Sequence, residues 1–127
     1  MSAVLKPVPV PTAESAVLTK ATLRAAERLG LAANVLSGII GLSEASLSRM
    51  RSGRYQLEPG SKPFELALLF VRLFRSLDAI VGGDDKVARA WLQNDNHVLA
   101  GAPAQKIRTI SGLVDVLAYL DARRALV

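Results

Sequence analysis

The chain has 127 residues, long enough for one domain or for two small helical ones, and it contains no cysteine. Disulfides and thiolate metal sites are therefore excluded, and the composition is compatible with a reducing cytoplasm, where we expect the protein to act. Half of the residues are hydrophobic but only 5% are aromatic, so a core must be built from aliphatic side chains. The formal net charge of +5 favours a polyanionic partner such as nucleic acid, although a basic balance also keeps many small proteins in solution.

Residues 1–12 are predicted to form a flexible N-terminal tail. Prolines at positions 7, 9 and 11 favour a polyproline-like conformation, and the segment lacks the apolar core of a signal peptide. Thr12 is a suitable N-cap for a first helix that runs to Leu29, where Gly30 ends it. One face of this helix carries basic residues spaced four apart, a pattern that a solvated surface would also explain: Lys20, Arg24 and Arg28.

Two short apolar helices follow, over residues 33–40 and 44–52, with Gly41-Leu42-Ser43 between them. A glycine turn between two helices that lock through apolar residues is typical of a helix-turn-helix, whose second helix faces a DNA groove. Arginine suits base edges and phosphates, and serine suits phosphate oxygens. The residues predicted to contact DNA are Ser46, Ser48, Arg49, Arg51 and Arg54. A structural helical hairpin or a dimerisation unit would give the same pattern without DNA.

The fourth predicted helix, over residues 63–81, is apolar on nearly every side. Charged residues argue against a membrane span, since each costs roughly 2.5–3.5 kcal/mol in the middle of a bilayer. These are Glu65, Arg72, Arg75 and Asp78. We therefore expect a buried central helix and no membrane partner. A helix that is hydrophobic all round must be covered all round, and a chain this short has few elements to do so, which predicts a homodimer.

The last third of the chain is predicted to be helical as well. In order, its elements are a fifth helix capped by Asp84 or Asp85 and reaching Leu92, a loop over 94–101, a short helix over 103–109, and a final helix after Gly112. This last helix is expected to continue through Leu126. No stretch alternates with period two, so the predicted fold class is all-α. An apolar chain end is unusual, which predicts a contact surface at Leu126 and Val127 unless they fold back onto their own helix.

Catalysis finds little support in the sequence. His97 is the only histidine and lies in a predicted loop, where a surface role is the plainer interpretation. Asp84 and Asp85 are explained by helix capping, and Gly82-Gly83 precedes two carboxylates that would repel a phosphate. No Ser-His-Asp arrangement can be proposed with one histidine. We therefore expect a protein that is not an enzyme and that binds no cofactor and no metal.

Two parts of the sequence resemble a known family. Residues 34–54 are similar to the Xre/Cro type of helix-turn-helix. The C-terminal half is the sharper match and resembles the toxin-binding domain of the Xre–MbcA–ParS antitoxins through Ala90-Trp91-Leu92, Asn94, Asn96, Leu99, Gly101, Pro103, Thr109, Gly112, Val116 and Leu120. The resemblance covers about residues 15–127. It divides the chain into a tail (1–12), a helix-turn-helix and dimerisation region (13–81) and a toxin-binding domain (82–127).

The resemblance implies an Xre/Cro-like bundle continued into a small toxin-binding domain, in a type II antitoxin. Its partner would be a RES-domain toxin encoded beside it, which degrades NAD or transfers ADP-ribose from it. The antitoxin would occlude the toxin's active site with its C-terminal region and repress its own operon by binding operator DNA. Carried over to this chain, the toxin contacts would be Trp91, Leu99, Pro103, Leu120, Arg123, Arg124, Leu126 and Val127.

Two features depart from the family pattern. Gln105 stands where a carboxylate is common, and no glycine lies near the end of the last helix. The alternative function is that of an ordinary helix-turn-helix transcriptional repressor without a toxin partner, whose C-terminal half only dimerises it.

Overall fold

The computed structural model describes residues 12–126, and over this range the fold is built from helices alone, which confirms the all-α prediction. In chain order the helices are α1 (Ala13–Arg28), α2 (Ala33–Ile40), α3 (Glu44–Arg51), α4 (Lys62–Ile80), α5 (Asp85–Gln93), α6 (Pro103–Lys106) and α7 (Ile110–Arg124). Residues 1–11 and Val127 lie outside the described residues, and with them all of the predicted tail (1–12) except Thr12 and the predicted toxin contact at Val127.

Side-chain N-caps fix where most of these helices begin. The hydroxyl oxygens of Thr12, Ser43 and Ser61 each accept a hydrogen bond from a backbone N–H three residues later, at 3.0–3.2 Å. An Asp84 carboxylate oxygen accepts from two N–H groups in the first turn of α5. Each cap contributes about 1 kcal/mol to helix stability. The predicted caps at Thr12 and Asp84 are therefore confirmed.

The start of α7 differs from the prediction. The helix begins at Ile110, and the N-cap is Thr109, whose hydroxyl oxygen accepts from the Gly112 N–H at 3.1 Å. Gly112 therefore lies inside the first turn, where it is buried against α6, and a Cβ added to it would stand 1.8 Å from the Lys106 carbonyl oxygen. The glycine permits close packing and does not break the helix, so the predicted start after Gly112 is wrong.

Helix α4 is the centre of the molecule and packs against α1, α2 and α7. Its largest fully buried side chains, Phe70, Leu73 and Leu77, join a single hydrophobic core that runs through both halves of the chain. The rest of the chain covers the side of α4 that carries these residues. An exposed strip remains that includes Leu68, 42% of which is accessible. The homodimer itself stays a prediction.

Arg28 fixes the junction between α1, α4 and α5, so it is not part of a solvated basic stripe. Its guanidinium donates to Asp78 at 2.8 Å and to Asp85 at 3.0 Å, and it lies over the Phe74 ring at 4.8 Å. Arg89 of α5 donates in return to the Arg28 carbonyl oxygen at 2.8 Å, at the C-terminal end of α1. These contacts hold the C-terminal helices against the first helix.

Candidate interaction surfaces

The turn between α2 and α3 has the geometry that a helix-turn-helix requires. Gly41 ends α2 in the left-handed region at φ 70°, a conformation that glycine adopts without steric strain. The Ser37 hydroxyl donates to the Leu42 carbonyl oxygen at 2.6 Å and closes the turn. Leu47 and Met50 are buried, so α3 is locked against the core with one face left outside.

The outward face of α3 carries most of the residues predicted to contact DNA. Arg49 donates to the Ser46 hydroxyl at 3.0 Å, and Ser46 also accepts from the capping residue Ser43. Arg54 donates from Nε to the Ser52 hydroxyl at 3.0 Å. The exposed members of the predicted set are Ser48, Arg49, Arg51 and Arg54, whereas Ser46 is half-buried. The structure therefore supports Arg49 with a short network of serine hydroxyls.

Arg51 does not share a face with Arg49. Two residues apart on a helix means about 200° around its axis. Arg51 accordingly lines a cleft beside Leu23 and Glu27 of α1. The sequence analysis did not identify Tyr55, which is half-buried and lies near Arg49. Burial raises the pKa of Tyr55, and the negative charge of Glu58 raises it further, whereas the positive charge of Arg49 lowers it. Of the two arginines, Arg49 is the better placed to reach a groove.

In the C-terminal half, the loop over residues 94–101 is closed by Asn96. Its backbone N–H and C=O groups pair with those of Gly101 at 3.0 and 3.2 Å. Its side-chain oxygen accepts from the Val98 and Leu99 N–H groups at 2.9 and 3.1 Å. Ala100 takes a positive φ of 58°, which is strained for a residue with a Cβ. The motif residues thus build a rigid loop that leaves Val98 75% exposed.

An aromatic pair joins α5, which precedes this loop, to α7. Trp91 and Tyr119 stack with ring centroids 6.1 Å apart, and Arg123 donates to the Tyr119 hydroxyl at 3.0 Å. Hydrogen bonding from Asn96 lowers the pKa of Tyr119, and Arg123 adds to this effect while burial opposes it. Sequence reasoning missed Tyr119, although it and Trp91 are the only aromatic residues after position 81.

The described residues that were predicted to contact a toxin differ in their exposure. Leu99, Pro103 and Leu120 are buried in the domain's own core, so in this conformation they support the surface and do not form it. Arg123 and Arg124 are exposed, and Leu126 is 86% exposed. Trp91 is half-buried. The exposed members stay predictions as toxin contacts.

The end of α7 also differs from the expected continuous helix. The last helical residue is Arg124, and the Leu126 N–H bonds to the Arg123 carbonyl oxygen at 3.1 Å in a closing turn. The C-terminal side chains therefore project beyond the last turn, although no glycine ends the helix there.

The described residues, 12–126, were also compared with the arrangement that a metal ion requires. Within that range, no three residues of the His, Cys, Asp or Glu type come together as a metal site. His97 is exposed in the loop that Asn96 closes. None of the helices in this range has the length and apolarity that crossing a bilayer requires.

The fold and the two surfaces define a class of protein: a helix-turn-helix unit continued into a helical interaction domain. Residues 8–72 match the profile described as the antitoxin Xre-like helix-turn-helix domain. Residues 76–125 match the profile of the antitoxin Xre/MbcA/ParS C-terminal toxin-binding domain. The chain therefore belongs to the Xre/MbcA/ParS antitoxin family, and it is the antitoxin of a toxin–antitoxin system. The resemblance seen in the sequence is confirmed.

Comparison with solved structures points the same way. The chain is similar to a chain in the crystal structure of the M. tuberculosis MbcT-MbcA toxin-antitoxin complex, with a TM-score of 0.64 and 26% sequence identity. The similarity covers 87% of this chain and 96% of that one. No curated protein matches the chain in sequence.

Proposed function

We propose that this antitoxin neutralises a RES-domain toxin that consumes NAD, by placing the end of α7 in the toxin's active-site cleft. The observation that carries the proposal is the exposed end of α7, Arg123 to Leu126, at the terminus of a domain of the toxin-binding type. In this proposal the protein is an inhibitor without catalytic activity of its own.

The chemistry of this end suits a cleft built for a dinucleotide. Arg124 makes no hydrogen bond or ion pair with another described side chain, so its guanidinium can pair with carboxylates in the cleft. Burial of an exposed leucine such as Leu126 contributes about 1.5–3 kcal/mol. Arg123 is already held by Tyr119, which reduces the entropy lost when it binds.

We also propose that the antitoxin represses its own operon as a homodimer that binds operator DNA through α3. The support is the exposed, serine-braced Arg49 on a helix locked by Leu47 and Met50. Two-fold operators match dimeric helix-turn-helix proteins whose reading helices lie one DNA turn apart, about 34 Å. The net positive charge favours this partner.

The occlusion proposal is tested by a chain that ends at Ala122, mixed with the toxin encoded beside it. NAD consumption by the toxin should be fully inhibited by the full chain and restored with the truncated one. Operator binding in a gel shift should survive the truncation. A toxin that stays inhibited by the truncated chain contradicts occlusion, and a full chain that inhibits nothing favours the ordinary repressor.

Single substitutions make this test finer. Arg124→Glu should weaken inhibition, because it reverses the charge at the proposed contact. Arg108→Glu is the matched control, since it makes the same charge change on an exposed residue that precedes the opposite end of α7. Equal loss of inhibition by both variants would show that net charge, and not the end of α7, determines toxin binding.

A further inference from the structure

Two contacts from outside α7 hold the side chain of Tyr119. Trp91 of α5 stacks on the Tyr119 ring, with the ring centroids 6.1 Å apart and 15° between the planes. The side-chain oxygen of Asn96 is used within its own loop, where it accepts from two N–H groups, and its amide nitrogen is left to donate to the Tyr119 hydroxyl. Both rings are half-buried. Tyr119 is therefore fixed by residues that are distant from it in sequence.

Tyr119 in turn holds Arg123, which follows it by four residues on α7. The Arg123 guanidinium donates from Nη1 to the Tyr119 hydroxyl at 3.0 Å and lies 5.8 Å from the centre of the ring. A charge-assisted hydrogen bond and a cation–π contact thus act on one exposed side chain. Ordering a long side chain on binding loses rotamer entropy, and these contacts reduce that loss in advance.

Arg124 provides a comparison within the same helix end. It is exposed like Arg123, but it lies about 100° further around the helix axis and forms no ion pair with another described side chain. Residues four apart on a helix often touch without consequence. The contact between Tyr119 and Arg123 differs from such a surface pair, because Trp91 and Asn96 fix the tyrosine from outside the helix.

We propose that Tyr119 is a positioning residue, which fixes the direction of the Arg123 guanidinium for its contact with a carboxylate of the toxin. Trp91, which the sequence predicted as a toxin contact, then acts through Tyr119 and does not need to touch the toxin. This inference rests on the proposed function, since it takes the end of α7 as the toxin contact. It adds that only one of the two adjacent arginines is ordered before the toxin binds.

The first experiment observes the arginine side chains of the free full-length antitoxin by NMR. A held guanidinium rotates slowly about its C–N bonds and gives separate signals for its Nη hydrogens. Arg123 should show them, and Arg123→Lys assigns them by their loss. Tyr119→Phe keeps the stacked ring and removes the hydroxyl, so it should merge these signals, whereas Tyr55→Phe should not. Arg123 signals that are the same in Tyr119→Phe and in wild type overturn the proposal.

The second experiment is a double-mutant cycle on the affinity of the full chain for the toxin encoded beside it. Tyr119→Phe should raise the dissociation constant by ~10-fold, and Arg123→Ala by ~100-fold. In the Arg123→Ala background, Tyr119→Phe should add less than ~2-fold, because the side chain that it positions is gone. An equal effect of Tyr119→Phe in both backgrounds overturns the proposal.

Arg124→Ala is the matched background for this cycle. In it, Tyr119→Phe should keep its full effect of ~10-fold, because Arg124 is not held by Tyr119. Tyr55→Phe makes the same change in the other half of the chain and should leave toxin affinity unchanged. Equal coupling of Tyr119 to both arginines would mean that the substitution disturbs the whole end of α7, and the proposal would fail. Circular dichroism verifies that each variant is folded.

Failure of this inference can be told apart from failure of the proposed function. A chain that ends at Ala122 and loses inhibition, together with an Arg123→Ala chain that inhibits fully, would leave occlusion standing and overturn the positioning role alone. A full chain that inhibits no toxin would remove the proposed function and the positioning role with it.

Discussion

Helix α3 and the end of α7 differ in how firmly the rest of the molecule holds them. Helix α3 is capped by Ser43 and locked by Leu47 and Met50, and its Arg49 is braced by the Ser46 hydroxyl. The end of α7 projects past its last turn with Leu126 86% exposed. A surface that reads a DNA groove benefits from fixed geometry, whereas a segment that enters a cleft can gain its order on binding.

We expect the largest difference in stability between two leucines near the end of the chain, Leu120 and Leu126, both of which the sequence analysis predicted as toxin contacts. Leu120 is 1% exposed, so Leu120→Ala should destabilise the fold by about 2–5 kcal/mol through loss of packing. Leu126→Ala should change stability by less than ~0.5 kcal/mol, yet weaken the toxin complex by ~1–2 kcal/mol. Urea unfolding and a toxin titration measure the two quantities. Similar unfolding losses in both variants would mean that the end of α7 packs on its own domain.

Two helical glycines, one in each half, should respond in opposite directions to alanine. Gly112→Ala should destabilise by ~3 kcal/mol, since its Cβ would meet the Lys106 carbonyl oxygen at 1.8 Å, a backbone atom that has little room to move. Gly38→Ala in α2 meets nothing within 4 Å and should stabilise by about 0.5–1 kcal/mol. Thermal unfolding compares them directly, and a Gly112→Ala chain as stable as wild type would contradict the packing at the start of α7.

The two arginines of α3 test which side of this helix would contact DNA. Arg49→Ala should weaken operator binding by ~1–3 kcal/mol if Arg49 reads a guanine, because the bidentate contact is lost. Arg51→Ala should have the smaller effect, because that side chain lines the cleft beside Glu27. Gel shifts of the upstream region at one fixed salt concentration give the comparison. The reverse order would place the groove on the side of α3 that faces α1.

Local signals explain what the sequence predicted well. The caps at Thr12 and Asp84 and the apolar spacing act over a few residues, so most predicted helix bounds fall within a residue or two of those observed. The start of α7 was missed because the role of Gly112 depends on its contact with Lys106, which spacing does not reveal.

The surfaces were harder to predict than the helices, because a sequence motif does not distinguish support from contact. Leu99 and Leu120 belong to the family pattern, yet they are core residues. Tyr119 lies outside the pattern, and its partner Trp91 is distant in sequence. Such a pairing becomes visible only when the helices are packed.

The smallest predicted effect compares one tyrosine from each region. The pKa of Tyr119 lies below its ordinary value of 10, because its side chain accepts hydrogen bonds from Asn96 and, with a smaller effect, from Arg123. Burial raises the pKa of Tyr55 above 10. An absorbance titration should resolve two steps, and Tyr119→Phe should remove the earlier one. Arg123→Ala should move that step towards 10, because it removes a hydrogen-bond donor and a positive charge from the phenolate.

The two pKa shifts act on stability with opposite sign. For Tyr119 the folded pKa is the lower one, so its contribution to stability is complete above pH 10 and is lost as the pH falls through the folded pKa. For Tyr55 the folded pKa is the higher one, so its contribution is present below pH 10 and is lost as pH rises through the folded pKa. Alkaline unfolding of Tyr55→Phe and Tyr119→Phe should therefore diverge from wild type in opposite directions. Two tyrosines that titrate together would mean that Asn96 and Arg123 do not hold the Tyr119 hydroxyl in solution.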